Sequence, residues 1–139
     1  MRLFADTSFY IAVVNAGDAS HHAALDIMEC FRGRIVTTEY VLVECGNWLA
    51  SVGDRATFVQ LNRQIGGDPK TLVIHADQDL YDTGVTYYAH RSDKKWSLTD
   101  CISFVVMERL NIKRALTVDH HFQRAGFGAL LLPQIKPLE

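Results

Sequence analysis

Leu3-Phe4-Ala5-Asp6-Thr7-Ser8 is a short apolar run that stops at an acid followed by two hydroxyls. A few consecutive apolar residues ending in turn or capping chemistry read as a strand buried on both faces. The same pattern returns near the other end of the chain, where residues 114–118 run into Asp119. Between them, residues 35–37 and 71–75 read as strands and residues 129–132 as a last one. The intervening stretches have helical spacing. A helix is expected over residues 8–15, and a second begins after Asp18 or Ser20 and carries Ala24, Ile27, Met28 and Phe31 on one face. A third, capped by Thr38, runs to Val52, and a fourth runs from Asp54 to Gly66-Gly67. A fifth runs from Asp77 to about Arg91, and a sixth, strongly apolar, from Ser97 or Thr99 to Leu110. A short helix ends near Ala125, and Pro133 and Pro137 mark a loose tail. Strands alternating with helices imply a parallel sheet covered on both faces. The expected fold is therefore α/β: a three-layer α/β/α sandwich around a central parallel sheet of four to five short strands. Residues 1–139 read as a single domain.

Composition narrows the functional classes. The chain is 48% hydrophobic and 22% charged, which suits a folded domain rather than a disordered one. Fourteen basic residues against sixteen acidic ones give a formal charge of −2, so there is no general attraction to nucleic acid. The apolar run over residues 9–14 is too short to span a bilayer, and Asp6 interrupts any leader-like core. Cys30, Cys45 and Cys101 are far apart and form no C-x-x-C pair, so buried free thiols in a reducing cytoplasm are expected.

Right-handed crossovers place every strand's carboxyl end on one edge of the sheet, where ligands bind. Asp6 and Asp119 follow strands and should lie at that edge. Asp100 sits in the first turn of its helix and Glu44 one to two turns into its own, so both can reach the same edge. Each has an ordinary alternative. Asp6 and Asp119 could cap the helices that follow, and Ser97 with Asp100 makes an S-x-x-D capping box. Glu44 is different, because it stands among Tyr40-Val41-Leu42-Val43 and Cys45-Gly46-Asn47-Trp48, where a carboxylate is costly without a cation or donor. Clustered carboxylates repel unless a cation neutralises them. Mg²⁺ and Mn²⁺ favour such oxygen ligands, and water bound to a metal ionises near neutral pH to become a nucleophile. Thr7, Ser8, Thr99 and Ser103 lie close enough in sequence to orient carboxylates or bound waters; helix capping is their alternative role.

The segments Phe4-Ala5-Asp6-Thr7-Ser8, Thr38-Glu39-Tyr40-Val41-Leu42-Val43-Glu44, Ser97-Leu98-Thr99-Asp100-Cys101-Ile102-Ser103-Phe104 and Ala115-Leu116-Thr117-Val118-Asp119-His120-His121-Phe122, followed by Gly126-Phe127, together resemble the PIN-domain nucleases. The likeness is greatest to the VapC-like toxins of bacterial and archaeal toxin–antitoxin pairs. Carried over residue by residue, the family's acids fall on Asp6, Glu44, Asp100 and Asp119, and its hydroxyls on Thr7 or Ser8 and on Thr99. The resemblance implies Mg²⁺- or Mn²⁺-dependent cleavage of RNA, a homodimer and inhibition by a small cognate antitoxin. It also implies a basic residue near the site, for which Arg91, Lys94, Lys95 and Arg124 are the candidates.

The loop Ser92-Asp93-Lys94-Lys95 before Trp96 could hold a nucleic-acid backbone while the ring stacks on a base. The alternative is a solvated loop with Trp96 in the core. His21-His22 and His120-His121 are candidate metal ligands by residue type, but they read as surface positions at helix starts; Asp82 could lie near the site but reads as an exposed helical acid. The leading expectation is an endoribonuclease toxin. In it Asp6, Asp100 and Asp119 hold the ion, Glu44 binds it or positions the water, and metal-activated water attacks the phosphodiester. A housekeeping RNA-processing nuclease of the same fold is the alternative, and a non-catalytic module using the acids only to bind metal is a further one. A phosphatase with Asp6 as nucleophile would commonly carry a second Asp two positions on, where this chain has Ser8.

Overall fold

The computed structural model describes residues 1–133; the expected tail around Pro137 lies outside the described residues. Five parallel strands form one sheet: β1 (Arg2–Ala5), β2 (Arg34–Thr38), β3 (Thr71–Ile74), β4 (Arg114–Leu116) and β5 (Gly128–Ala129). Their order is β3-β2-β1-β4-β5. Seven helices connect them: α1 (Thr7–Val14), α2 (His21–Cys30), α3 (Glu39–Ser51), α4 (Arg55–Gly67), α5 (Gln78–His90), α6 (Leu98–Arg109) and α7 (His120–Arg124). Right-handed crossovers on this strand order put α1 to α4 on one face and α5 to α7 on the other. The helix contacts divide the same way: α1 packs on α2 and α3, and α3 on α4, whereas α6 packs on α5 and α7.

β1 is the central strand, with β2 on one side and β4 on the other, so the connection order reverses beside it. Phe4 and Ala5 of β1 pair with Ala115 and Leu116 of β4. One residue further, Asp6 therefore stands beside Thr117, and its N–H donates to the Leu116 carbonyl at 3.2 Å. This is the switch point at which open α/β sheets bind ligands.

α6 is buried along eight consecutive residues from Asp100 to Met107. Burial all round explains why its sequence shows no polar stripe. α5 can lie close against it because Gly84 has no side chain: a Cβ there would stand 2.3 Å from Ile102 Cγ1. Side-chain caps start several helices as their sequences suggest. Thr38, Asp54, Asp77 and Ser97 accept from Val41, Thr57, Leu80 and Asp100 N–H groups.

Three expectations are corrected. β4 ends at Leu116 rather than Val118, because the Val118 N–H leaves the ladder and donates to Ser8 Oγ. β5 spans only Gly128–Ala129 instead of residues 129–132. The Leu130 and Leu131 N–H groups still donate to Ala115 and Thr117 carbonyls, but Leu132 turns back to Ala129. Cys30 is exposed, while Cys45 and Cys101 are buried free thiols as expected.

Candidate metal and catalytic site

Asp6 follows β1 and is only 5% exposed. It occupies the N-cap position of α1 but makes no side-chain capping bond. Its Oδ2 instead accepts from Thr117 Oγ1 at 2.8 Å and from Ser8 Oγ at 3.2 Å. The capping explanation thus fails for this acid. Burial, opposed mainly by the Thr117 hydrogen bond, pushes its carboxyl from 3.8 up to about 6, and the charges of Asp100 and Glu44 push the same way.

Asp119 and Asp100 have double roles. Asp119 Oδ1 accepts from the His121 N–H at 2.8 Å, capping α7. Asp100 forms the capping box of α6 with Ser97, its Oδ2 accepting the Ser97 N–H at 3.3 Å. These bonds leave both carboxylates aimed across the same gap. His121 Nδ1 lies 3.1 Å from Asp100 Oδ2 and 3.5 Å from Asp119 Oδ1. Burial raises the Asp100 carboxyl; the His121 contact opposes that rise and the charge of Asp119 adds to it. One ligand atom from each of Asp100, Asp119 and His121 fits within 4.8 Å of the others, a spacing that could hold one metal ion.

Glu44 approaches from α3. It is half-buried, and its Oε1 accepts the Thr7 hydroxyl. Neighbouring Val43 is exposed, so the helix is less enclosed than its sequence suggests. Among the described residues, no Lys or Arg pairs with any of the four acids. The group is therefore a set of carboxylates at one sheet edge that no fixed side-chain cation of Lys or Arg balances.

Of the four candidate hydroxyls, Thr7 and Ser8 contact carboxylates, whereas Ser103 and Thr99 do not. Thr7 holds Glu44 and Ser8 holds Asp6. Ser103 is buried and its Oγ donates to the Thr99 carbonyl at 2.9 Å, so this proton serves the α6 backbone rather than the carboxylates. Thr99 takes part in that bond through its carbonyl. Thr117 went unrecognised in the sequence, and His121 was set aside as a ligand. Thr117, fully buried, donates to Asp6 and accepts the Asp119 N–H at 3.0 Å, joining the two strand-end acids. Its signal was its place two residues before Asp119, on the same side of an extended chain. His121, expected on the surface, is half-buried between two acids.

The basic candidates stand apart from these bonds. Arg91 pairs with Asp93 at 3.1 Å and lies over the Trp96 ring, 4.7 Å from its centroid. Lys94 Nζ is 6.0 Å from the same centroid. Trp96 is 4% exposed and packs on Phe104, so base stacking on its ring is not available and the core reading holds. Lys95 and Arg124 are exposed. Asp82 is an exposed helical acid that accepts from Gln78. Among the described residues, no helix is long and apolar enough to cross a membrane.

Comparison with known proteins agrees with this geometry. Residues 3–128 match the PIN domain family. The chain is 30% identical over 126 residues to the 23S rRNA-specific endonuclease VapC20 of Mycobacterium tuberculosis strain CDC 1551 / Oshkosh, covering 90% of this chain and 95% of that one. The protein of the same name from strain H37Rv matches equally well. The crystal structure of M. tuberculosis VapC20, described as a sarcin–ricin loop cleaving toxin, superimposes with a TM-score of 0.82 at 28% identity, over 90% of this chain and 95% of that one. An unbalanced acidic edge at the switch point of a five-stranded parallel sheet, and a family match along nearly the whole chain, lead to one assignment: this chain belongs to the PIN-domain family.

Proposed function

We propose that this chain is a Mg²⁺- or Mn²⁺-dependent endoribonuclease acting as the toxin of a toxin–antitoxin pair, with Asp6, Asp100 and Asp119 holding the ion and Glu44 beside it. The observation that carries the reading is the meeting of acids from β1, α3, α6 and the end of β4 with no Lys or Arg partner. The donors fit a hard divalent ion: carboxylate oxygens dominate, and burial pushes the Asp6 carboxyl up to about 6, a cost that a bound cation would offset. Such an ion would supply Lewis-acid polarisation of the phosphodiester and easier ionisation of water.

The chain's own groups then have distinct tasks. Thr117 fixes Asp6 and the backbone of Asp119 relative to each other, which sets the spacing of two carboxylates to a single hydrogen-bonded unit. Ser8 supports the same Asp6 oxygen. Glu44, its orientation held by Thr7, either joins the ligand set or accepts a proton from the attacking water. Lys94, Lys95 and Arg124, with Arg91, would meet the RNA backbone outside the acidic cleft, where local positive charge offsets a net charge of −2.

The substrate we infer is large-subunit ribosomal RNA at its sarcin–ricin loop, on the strength of what the VapC20 relatives are named for. The working unit would be residues 1–139 as one cytoplasmic domain, paired as a homodimer and silenced by a cognate antitoxin. The exposed apolar side chains Val43, Val52 and Val59 offer surface for such partners. The test is cleavage of purified ribosomes, with 5′ ends mapped, by the wild-type chain and by Asp119→Asn. Asn caps a helix as well as Asp does, so the variant should keep its melting temperature while new ends disappear. No new ends with the wild-type chain and Mn²⁺, or undiminished cleavage by the variant, overturns the reading.

A further inference from the structure

We propose that His121 is a nitrogen ligand to the divalent ion between Asp100 and Asp119, and that it biases the site toward Mn²⁺ over Mg²⁺. The inference rests on the metal-nuclease reading above and concerns a residue which that reading does not use.

The local chain geometry makes the placement specific. α7 begins immediately after Asp119, and Asp119 caps it by accepting the His121 N–H. The same residue's side chain turns back over the carboxylate, so His121 touches Asp119 through both backbone and ring. Nδ1 stands 3.1 Å from Asp100 Oδ2 and 3.5 Å from Asp119 Oδ1. Ligands about 2.1 Å from an octahedral ion stand about 3 Å apart across a right angle. The observed contacts have the dimensions of ligand–ligand edges around one ion. The ring already engages the pair, with Nδ1 in hydrogen-bond contact with Asp100 Oδ2 and close to Asp119.

Accessibility permits exchange. The His121 side chain is 31% exposed and the carboxylates of Asp100 and Asp119 are 11% and 34% exposed, so an ion can arrive from solvent. Three other histidines are turned elsewhere: His21 Nδ1 to the Ala12 carbonyl, His90 Nδ1 to the Thr86 carbonyl, and His75 toward Glu39. Mg²⁺ prefers an all-oxygen shell, whereas imidazole affinity rises along the transition series. One nitrogen among carboxylates leaves Mg²⁺ usable and improves the relative position of Mn²⁺.

The experiment uses the full chain as wild type, His121→Ala and His121→Gln, each checked by circular dichroism. Calorimetric titrations with MnCl₂ and MgCl₂ give the two affinities, and electron–nuclear double resonance on the Mn²⁺-loaded proteins detects nitrogen bound to the ion. The expected result is a ¹⁴N coupling in the wild type that is absent from both variants, with Mn²⁺ affinity down about tenfold or more and Mg²⁺ affinity changed much less. His121→Gln keeps an amide donor for the two acids, so a purely positioning role would leave its Mn²⁺ affinity near wild type and contradict the proposal. Wild-type protein that binds Mn²⁺ without a ¹⁴N coupling, or variants losing both ions equally, also overturns it. Failure of the wild type to bind either ion removes this inference and the acid assignment together. The separate ribosome assay reads the nuclease itself.

Discussion

Asp6→Asn should stabilise the ion-free protein at neutral pH while eliminating cleavage. Asp6 is 5% exposed, and burial first, then the charges of Asp100 and Glu44, push its carboxyl from 3.8 to about 6 against the Thr117 hydrogen bond. A rise of roughly two units corresponds to about 3 kcal/mol of cost for keeping the group ionised in the fold. The sign follows from proton binding: the folded chain holds this proton more tightly than the unfolded chain does. Its stability contribution is therefore complete below pH 3.8, is lost as pH rises to about 6, and stays lost above that. Asn does not ionise, and its carbonyl oxygen can still accept from Thr117 and Ser8 where Oδ2 does now. In thermal melts with excess EDTA, the variant should gain on the wild type by up to about 1.4 kcal/mol per pH unit between those values. The gap then levels near 3 kcal/mol, on the order of 10 °C for a chain of this length. Mn²⁺ at a hundredfold its dissociation constant should return about 2.7 kcal/mol to the wild type alone. A gap equal at low and neutral pH, or an Asn variant that melts lower at neutral pH in EDTA, would refute the burial argument.

Thr117→Val has nearly the same shape but removes a donor to Asp6 and the acceptor of the Asp119 N–H. It should cost about 1–3 kcal/mol in melts and weaken Mn²⁺ binding in calorimetry. Gly84→Ala drives a Cβ to within 2.3 Å of Ile102 on the adjoining buried helix. It should lose about 1–3 kcal/mol in denaturant titration despite better helix propensity, since overpacking outweighs about 1 kcal/mol of backbone gain. Lys94→Gln with Lys95→Gln should raise KM for RNA and flatten its salt dependence while leaving stability within about 0.5 kcal/mol of wild type.

The sheet was legible because its strands are buried on both sides and so appear as short apolar runs with capping residues after them. Thr38, Asp54, Asp77 and Ser97 could be assigned as caps because capping is local, decided within four residues. The edge on which Asp6 and Asp119 lie follows from parallel connectivity alone. Strand ends were harder. The Val118 N–H abandons the ladder for Ser8, a partner 110 positions away, and no local pattern encodes that choice. Ser103 lies close to Asp100 in sequence, but a buried Ser in a helix often returns its proton to a carbonyl one turn back, as it does here to Thr99. His121 was set aside as a ligand for a similar reason. A His at a helix start is usually solvated, and only the approach of α6 brings Asp100 within 3.1 Å of its ring.

Hydrogen bonds hold the acids of separate elements at one spacing. Thr117 binds Asp6 on one side and the Asp119 backbone on the other, so β1 and the end of β4 cannot slide without breaking both. Asp119 starts α7 through the His121 N–H, and the ring of His121 then meets Asp100, itself fixed to the start of α6 by Ser97. Each carboxylate is positioned by bonds to neutral groups or to one imidazole, never by Lys or Arg among the described residues. Neutral donors orient a carboxylate while neutralising little of its charge, so geometry is kept and the demand for a cation persists. A Lys or Arg paired with these acids would meet that demand permanently and close the site to metal. Burial's upward push on the Asp6 carboxyl is the same demand expressed as a cost, which a cation at this edge would offset.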